Sequence, residues 1–232
     1  MVRTYYRLAR VPDHSMLSRK LSSKRWMTVL ERFFQNVLAA LPRRKLIVAT
    51  DATGYSGRKR GWRETKHATR ASKNRVKVHA DIEVDEFLVL SYSLTRSNVN
   101  DSQMFADVWD KLPSNVSPKR SLADSTYHGE KCLAAARQPG AMSLHAIKKN
   151  AREYERQSDF YQKLVNFAHH WPRRFAALYA KRVHAETAFS MIGALLGYRL
   201  RCRSSNGRKN EVRVKLALFN LIQLAMRKEF WS

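Results

Sequence analysis

Lys45-Leu-Ile-Val-Ala-Thr50, followed at once by Asp51, is the stretch on which the reading of the fold turns. Six mostly apolar residues with an Ile-Val pair are too short for a helix and suit a buried strand that ends at an acid. Downstream, Arg75 to Val84 (RVKVHADIEV) alternates apolar with polar residues, the mark of a half-buried strand. Phe87 to Leu94 reads as a third strand, with Asp85-Glu86 as a hairpin turn between them. Arg120 to Ala123 forms a short strand ending at Asp124, and Met142 to Ile147 a fifth. Helices fill the intervals. Asn100 caps one, with Gln103 in the capping-box relation and Pro113 beyond its end. Tyr127 to Arg137 is a second, stopped by Pro139-Gly140. Upstream, Asp13 or Ser15 caps one or two short helices that run to Pro42. Residues 152–197 are helical with a break near Trp171-Pro172, Ser204 to Gly207 is a turn, and residues 209–229 form a last helix. Residues 52–74, rich in Gly, Lys and Arg, read as a long basic loop. Three strands in hairpin order, then strands joined through helices, predict an α/β fold with a mixed five-stranded sheet flanked by helices. Residues 1–44 are expected to form an N-terminal helical segment, and 45–232 the main domain.

Charge is the strongest global signal. The chain of 232 residues carries 44 Lys and Arg against 19 Asp and Glu, a net charge of +25. A hydrophobic content of 44% nevertheless supports a real core and excludes a disordered basic tail. A protein this basic repels itself unless a polyanion neutralises it, and nucleic acid is the polyanion that Lys and Arg serve best. The basic residues run through the whole chain, as in Arg43-Arg44-Lys45 and Arg58-Lys59-Arg60, so several faces are basic. Cys132 and Cys202 form no CxxC pair, which argues against a zinc finger and a disulfide scaffold. No stretch approaches the ~18 apolar residues of a membrane span, and Met1 to Arg10 lacks the apolar core of a signal peptide. The expected location is the cytoplasm, in association with DNA.

Two aspartates share one local setting. Asp51 and Asp124 each end a predicted strand, and each is followed by small residues and a glycine. Carboxylates held side by side at buried strand ends repel each other. Divalent cations remove that repulsion, and oxygen donors suit Mg²⁺ or Mn²⁺. A third acid, Glu186, lies in a helical stretch where Tyr179, Arg182 and Glu186 fall at i, i+3 and i+7 and project from one face. Taken singly, each acid also reads as a turn former, a helix cap or half of a surface ion pair. His79, His128 and His184 stand near the acids in sequence and read as structural, since a hard cation prefers oxygen.

Here the chain resembles a known family. Tyr179, Arg182 and Glu186, separated by two and three residues, match the signature of DDE transposases of bacterial and archaeal insertion sequences of the insertion-sequence-four and -five type. Val11 to Arg19 is similar to the family's Pro-Asp-x-Ser lead-in, Asp51-Ala-Thr-Gly54 to its first Asp motif, Ser97 to Ser102 to its Asn-x-x-Asp-Ser turn, and Leu122 to Gly129 to its second. Arg201 to Asn220 resembles its C-terminal basic stretch and helix. The likeness covers nearly the whole chain in order. One position departs. Where the family carries a Lys or Arg six residues beyond the Glu, this chain has Gly193, and Arg199 or Arg201 are the candidates to supply that charge.

The resemblance implies a ribonuclease H-like catalytic domain over residues 45–232. It implies metal-dependent cleavage and strand transfer of an insertion sequence, with two Mg²⁺ or Mn²⁺ ions held by Asp51, Asp124 and Glu186. Arg182 is then expected on a phosphate, with Tyr179 beside it. Lys148, Lys149, Arg199, Arg201 and Arg203 are candidates for duplex backbone contacts, as are Arg58, Lys59 and Arg60 in the basic loop, where Trp62 reads equally as a core anchor. The implied partners are double-stranded DNA, as transposon ends and target, and a second copy of the chain on that DNA. A catalytically inert DNA-binding remnant and a nuclease that cuts without joining are the competing readings.

Overall fold

In the computed structural model, which describes residues 13–57, 75–137, 140–148 and 158–226, the first strand, β1, spans Arg44–Ser56. It does not stop at Thr50 as expected. A second strand, β2 (Arg75–Glu83), offers antiparallel partners from Val48 opposite Glu83 to Ser56 opposite Arg75, so pairing continues past Asp51, which sits mid-strand opposite Ala80. β3 (Val89–Thr95) pairs antiparallel with β2. β4 (Val116–Ala123) runs parallel to β1, and β5 (Met142–His145) parallel to β4. The order is β3-β2-β1-β4-β5, the mixed five-stranded sheet read from the sequence. β4 starts earlier than expected. Its register slips between Leu46 and Ile47, which leaves Lys119 out of the ladder next to Pro118, a residue with no N–H to give.

The helices are α1 (His14–Ser22), α2 (Lys24–Ala39), α3 (Asp101–Trp109), α4 (Glu130–Arg137), α5 (Asp159–His170), α6 (Pro172–Tyr179), α7 (Val183–Leu196) and α8 (Ser205–Ala225). Asp13 caps α1 by accepting from the Met16 amide at 2.7 Å. Ser23 ends α1 and caps α2. Asn100 caps α3 as expected. The helix expected from Tyr127 instead opens with a 3₁₀ turn, Ser125–Tyr127, and becomes α-helical only at Glu130. The expected turn at Ser204–Gly207 is a helix start: Ser204 Oγ accepts from the Gly207 amide at 3.0 Å, so α8 begins at Ser205.

Register decides which side chains share a face, since cross-strand neighbours point the same way. Thr50, Asp81 and Ser91 lie on the α3 side, where Asp101 of α3 meets His79 of β2. Asp51, Ala80 and Tyr92 lie on the other side, where Tyr92 meets Phe34 of α2 edge to face at 4.8 Å. α7 and α8 pack on that second side, and α1 and α2 pack in turn against α8. Leu30, Phe34, Val37 and Leu38 are the buried stripe of α2. Burial of such side chains contributes about 1.5–3 kcal/mol each. Among the described residues no helix is long and apolar enough to cross a membrane.

Two polar side chains of α8 hold this layer in place. Asn220 is fully buried and imitates a strand partner for β3, donating to the Val89 carbonyl at 2.7 Å and accepting from its amide at 2.9 Å. Lys215 donates to the carbonyls of Leu196 and Gly197, both at 2.6 Å, and so closes the C-terminus of α7, where Gly197 takes φ 75°. Asn220→Leu strands two buried backbone groups at once. It is expected to cost about 2–4 kcal/mol, measured by urea denaturation; an unchanged midpoint would remove Asn220 from this role.

Candidate functional site

The parallel register sets Thr50 beside Ala123, so the next residues, Asp51 and Asp124, follow on adjacent strands. β4 ends there while β1 continues. Asp124 Oδ1 accepts from the Thr126 amide at 2.8 Å and thereby starts the 3₁₀ turn. His145 fixes that turn from β5: its Nδ1 donates to the Tyr127 carbonyl at 2.9 Å, and Nε2 accepts from Ser121 at 3.0 Å. Burial holds His145 down to about 4, so it stays neutral and keeps this pattern of bonds.

Glu186 comes from across the layer, in the first turn of α7. The expectation of one continuous helical face for Tyr179, Arg182 and Glu186 is corrected. Tyr179 ends α6, Arg182 ends a 3₁₀ turn over Ala180–Arg182, and Glu186 follows in α7. That turn packs on both β1 and β4. Arg182 grips Glu186 through Nη1, while its Nε is buried without a hydrogen-bond partner among the described residues.

Electrostatics tie these groups together. Burial pushes the Asp51 carboxyl up to about 6; the Ala52 amide, at 2.8 Å, and Arg182 hold it down, and Asp124 and Glu186 raise it further. The Tyr179 phenol is raised by burial and by the same three acids, with Arg182 opposing them. Asp51 and Tyr179 thus each lie within electrostatic reach of Asp124, Glu186 and Arg182. Three carboxylates are the hard oxygen donors that suit Mg²⁺ or Mn²⁺, so the residues fit such an ion in kind. They do not stand in ligating array: among the described residues no three His, Cys, Asp or Glu side chains lie close enough to hold a metal. Glu186 is instead engaged by Arg182.

Of the residues expected on DNA, Lys148 is exposed near His128, and Arg199, Arg201 and Arg203 are exposed between α7 and α8. That segment is stitched to the end of β1, with the Leu200 amide donating to the Ser56 carbonyl at 2.9 Å. Arg58, Lys59, Arg60, Trp62 and Lys149 lie outside the described residues. The departure at Gly193 has a local cause. A Cβ there would come within 1.9 Å of the Tyr198 ring, whose hydroxyl donates to the Phe189 carbonyl at 3.1 Å. The aromatic ring takes the space a longer side chain would need. The three histidines are bonded into the fold: His79 to Thr95 and Asp101, His128 to Tyr161, and His184 to the Val84 carbonyl.

Asp81 was not singled out in the sequence. It is fully buried directly behind the site, accepting from Thr50 Oγ1 at 2.6 Å and Ser91 Oγ at 3.0 Å. Burial lifts it to about 7. In the alternation of β2 it falls among the polar residues Arg75, Lys77, His79 and Glu83, so only the tertiary fold shows that it is buried. The unfolded chain ionises this acid near 3.8 and the folded chain near 7. Its contribution to stability is therefore full below the lower value and is lost as pH rises to the upper one, on the order of 4 kcal/mol in all. Asp81→Asn is expected to flatten the decline in stability between about pH 4 and pH 7; thermal melts across that window giving the parent slope would disprove it.

Residues 42–221 match the family model described as the transposase DDE domain. A comparison with curated proteins finds no match. The matched span contains all five strands and all three acids, and the mixed sheet flanked by helices is consistent with the ribonuclease H-like fold of that group.

Proposed function

This chain belongs to the transposase DDE-domain family, and from that premise we propose that it is an enzyme that cleaves DNA strands and joins the freed ends of an insertion sequence to target DNA. The observation that supports the reading is geometric: Asp51 and Asp124 directly follow a paired position on neighbouring strands, and the 3₁₀ turn that packs on both strands ends at Arg182, which holds Glu186. We assign residues 45–232 to the catalytic domain and residues 1–44 to an N-terminal helical segment.

Asp51, Asp124 and Glu186 are the residues that would hold two Mg²⁺ or Mn²⁺ ions. Bound there, the cations supply Lewis acidity that activates an attacking hydroxyl and steadies the leaving oxygen. The chain's own groups do the rest. Releasing Glu186 from Arg182 makes the carboxylate available to a cation and the guanidinium available to a phosphate in the same movement. The unpaired Nε gives Arg182 a further donor for the phosphate oxygens. Tyr179, half-buried beside the acids, stays a neutral hydroxyl that can donate to the strand. Exposed Lys148, Arg199, Arg201 and Arg203 place the duplex by its backbone, without reading its sequence. Two chains on two DNA ends complete the proposed assembly.

A strand-transfer assay with linear DNA ends, with and without Mg²⁺, tests this. Joined products that require the metal are expected. Cutting without joining would favour a nuclease, and binding without cutting an inert remnant. The ring of Tyr198 over Gly193 is the observation on the remnant's side, since this position lacks the family's basic residue.

A further inference from the structure

The connection between β2 and β3, residues 84–88, holds a strained backbone. Among the described residues Phe87 is the one non-glycine with a positive φ, 58°. A side chain disfavours that left-handed conformation, which glycine adopts freely. An aromatic ring is thus held where the backbone favours none, and such positions persist only when their surroundings fix them. Both flanks of Phe87 do so. The Glu83 amide donates to the Leu88 carbonyl at 2.8 Å, and the Val84 amide to the Ile47 carbonyl at 3.2 Å. The Glu86 amide donates to Glu83 Oε2 at 2.5 Å, and the Glu86 carboxylate pairs with Arg44 of β1.

This braced turn grips the segment that leads into α7. Asp85 pairs with Lys181. The Val84 carbonyl accepts from His184 Nδ1 at 2.5 Å. Phe87 stacks on the His184 ring, with centroids 5.3 Å apart and planes inclined by 30°. These contacts bracket Arg182 and stop two residues short of Glu186. Two residues turn a helix through about 200°. His184 therefore faces the hairpin, while Glu186 projects from the opposite side of the same turn, where Arg182 holds it. A grip on one side of a helix sets its rotation, and so the aim of the other side.

We propose that Phe87 is a positioning residue for Glu186: its stack on His184 fixes the rotation of the first turn of α7, and thereby the reach of the Glu186 carboxylate toward a divalent cation shared with Asp51 and Asp124. The inference rests on the metal reading above and adds to it the element that aims the third acid. A ring that only covered the core would matter for stability, and would have no special tie to Glu186.

Mn²⁺ titrated calorimetrically into the protein on a short duplex, with the duplex alone subtracted, tests this in a double-mutant cycle. Phe87→Gly relieves the strained backbone and removes the ring. It is expected to weaken Mn²⁺ binding about tenfold where Glu186 is present, and less than about twofold in a Glu186→Ala background. Phe87→Tyr is expected to keep the parent affinity. His184→Leu breaks the same stack from the other ring; it is expected to give the same pattern, and it decides the matter if Phe87→Gly does not fold. Equal losses in both backgrounds, or a loss in Phe87→Tyr equal to that in Phe87→Gly, would overturn the proposal. Glu186→Ala weakening Mn²⁺ binding while Phe87→Gly and His184→Leu leave it unchanged would overturn it and leave the metal reading standing. A parent that binds no Mn²⁺, or Glu186→Ala binding it as the parent does, would overturn both.

Discussion

Asp51→Ala is expected to lower strand cleavage by about a thousandfold or more, because on the proposed reading Asp51 would help hold the cations, and losing them would remove several kcal/mol of transition-state stabilisation. Asp124→Ala and Glu186→Ala are expected to do the same. DNA affinity should barely fall, since none of the three donates to a phosphate, and removing a negative charge from the site favours the polyanion. A gel assay of cleavage beside an anisotropy measurement of binding separates the two effects. Retained cutting in any one variant removes that residue from the site. The expectation for Asp51 draws on its setting: it is half-buried mid-strand, lifted to about 6 by burial and by its acidic neighbours. Alone it is an awkward place for a charge, and a bound cation makes it a favourable one.

DNA affinity is expected to collapse with salt. A chain with a net charge of +25 whose exposed cations meet phosphates releases counterions as it binds. Six to ten such contacts would cost about three to five orders of magnitude in affinity between roughly 50 and 200 mM salt. Neutralising Arg199, Arg201 and Arg203 together should reduce the slope by about three, and should do so on any duplex sequence. A flat salt dependence would contradict the phosphate-contact reading.

The sheet was legible because its strands obey local rules. KLIVAT is short, apolar and β-branched, RVKVHADIEV alternates, and both became paired strands. What the local rules missed are consequences of pairing. β1 runs on through Asp51 to Ser56 because β2 continues beside it, and nothing in Asp51-Ala-Thr-Gly54 by itself announces a strand. The break between Tyr179 and Glu186 was also hidden. The residues there are good helix formers, and the 3₁₀ turn arises where the chain packs across β1 and β4. Asp81, Lys215 and Asn220 escaped notice for a related reason. Each is an ordinary polar residue in sequence, and its weight comes from partners up to 131 positions away, as with Asn220 and Val89. The three acids stand out in the sequence because two Asp motifs and one helical motif resemble a family, whereas the clasp of Arg182 on Glu186 required the fold.

The most direct test of the central claim is to load the DNA-bound protein with Fe²⁺ in place of Mg²⁺ and generate hydroxyl radicals at the bound iron, which accepts the same oxygen donors. Backbone cuts are predicted beside Asp51, Asp124 and Glu186 together, suppressed by excess Mg²⁺ and absent in Asp51→Ala. Cuts near only one or two of the three, or a pattern that Mg²⁺ does not compete away, would contradict the claim that these acids serve one metal site.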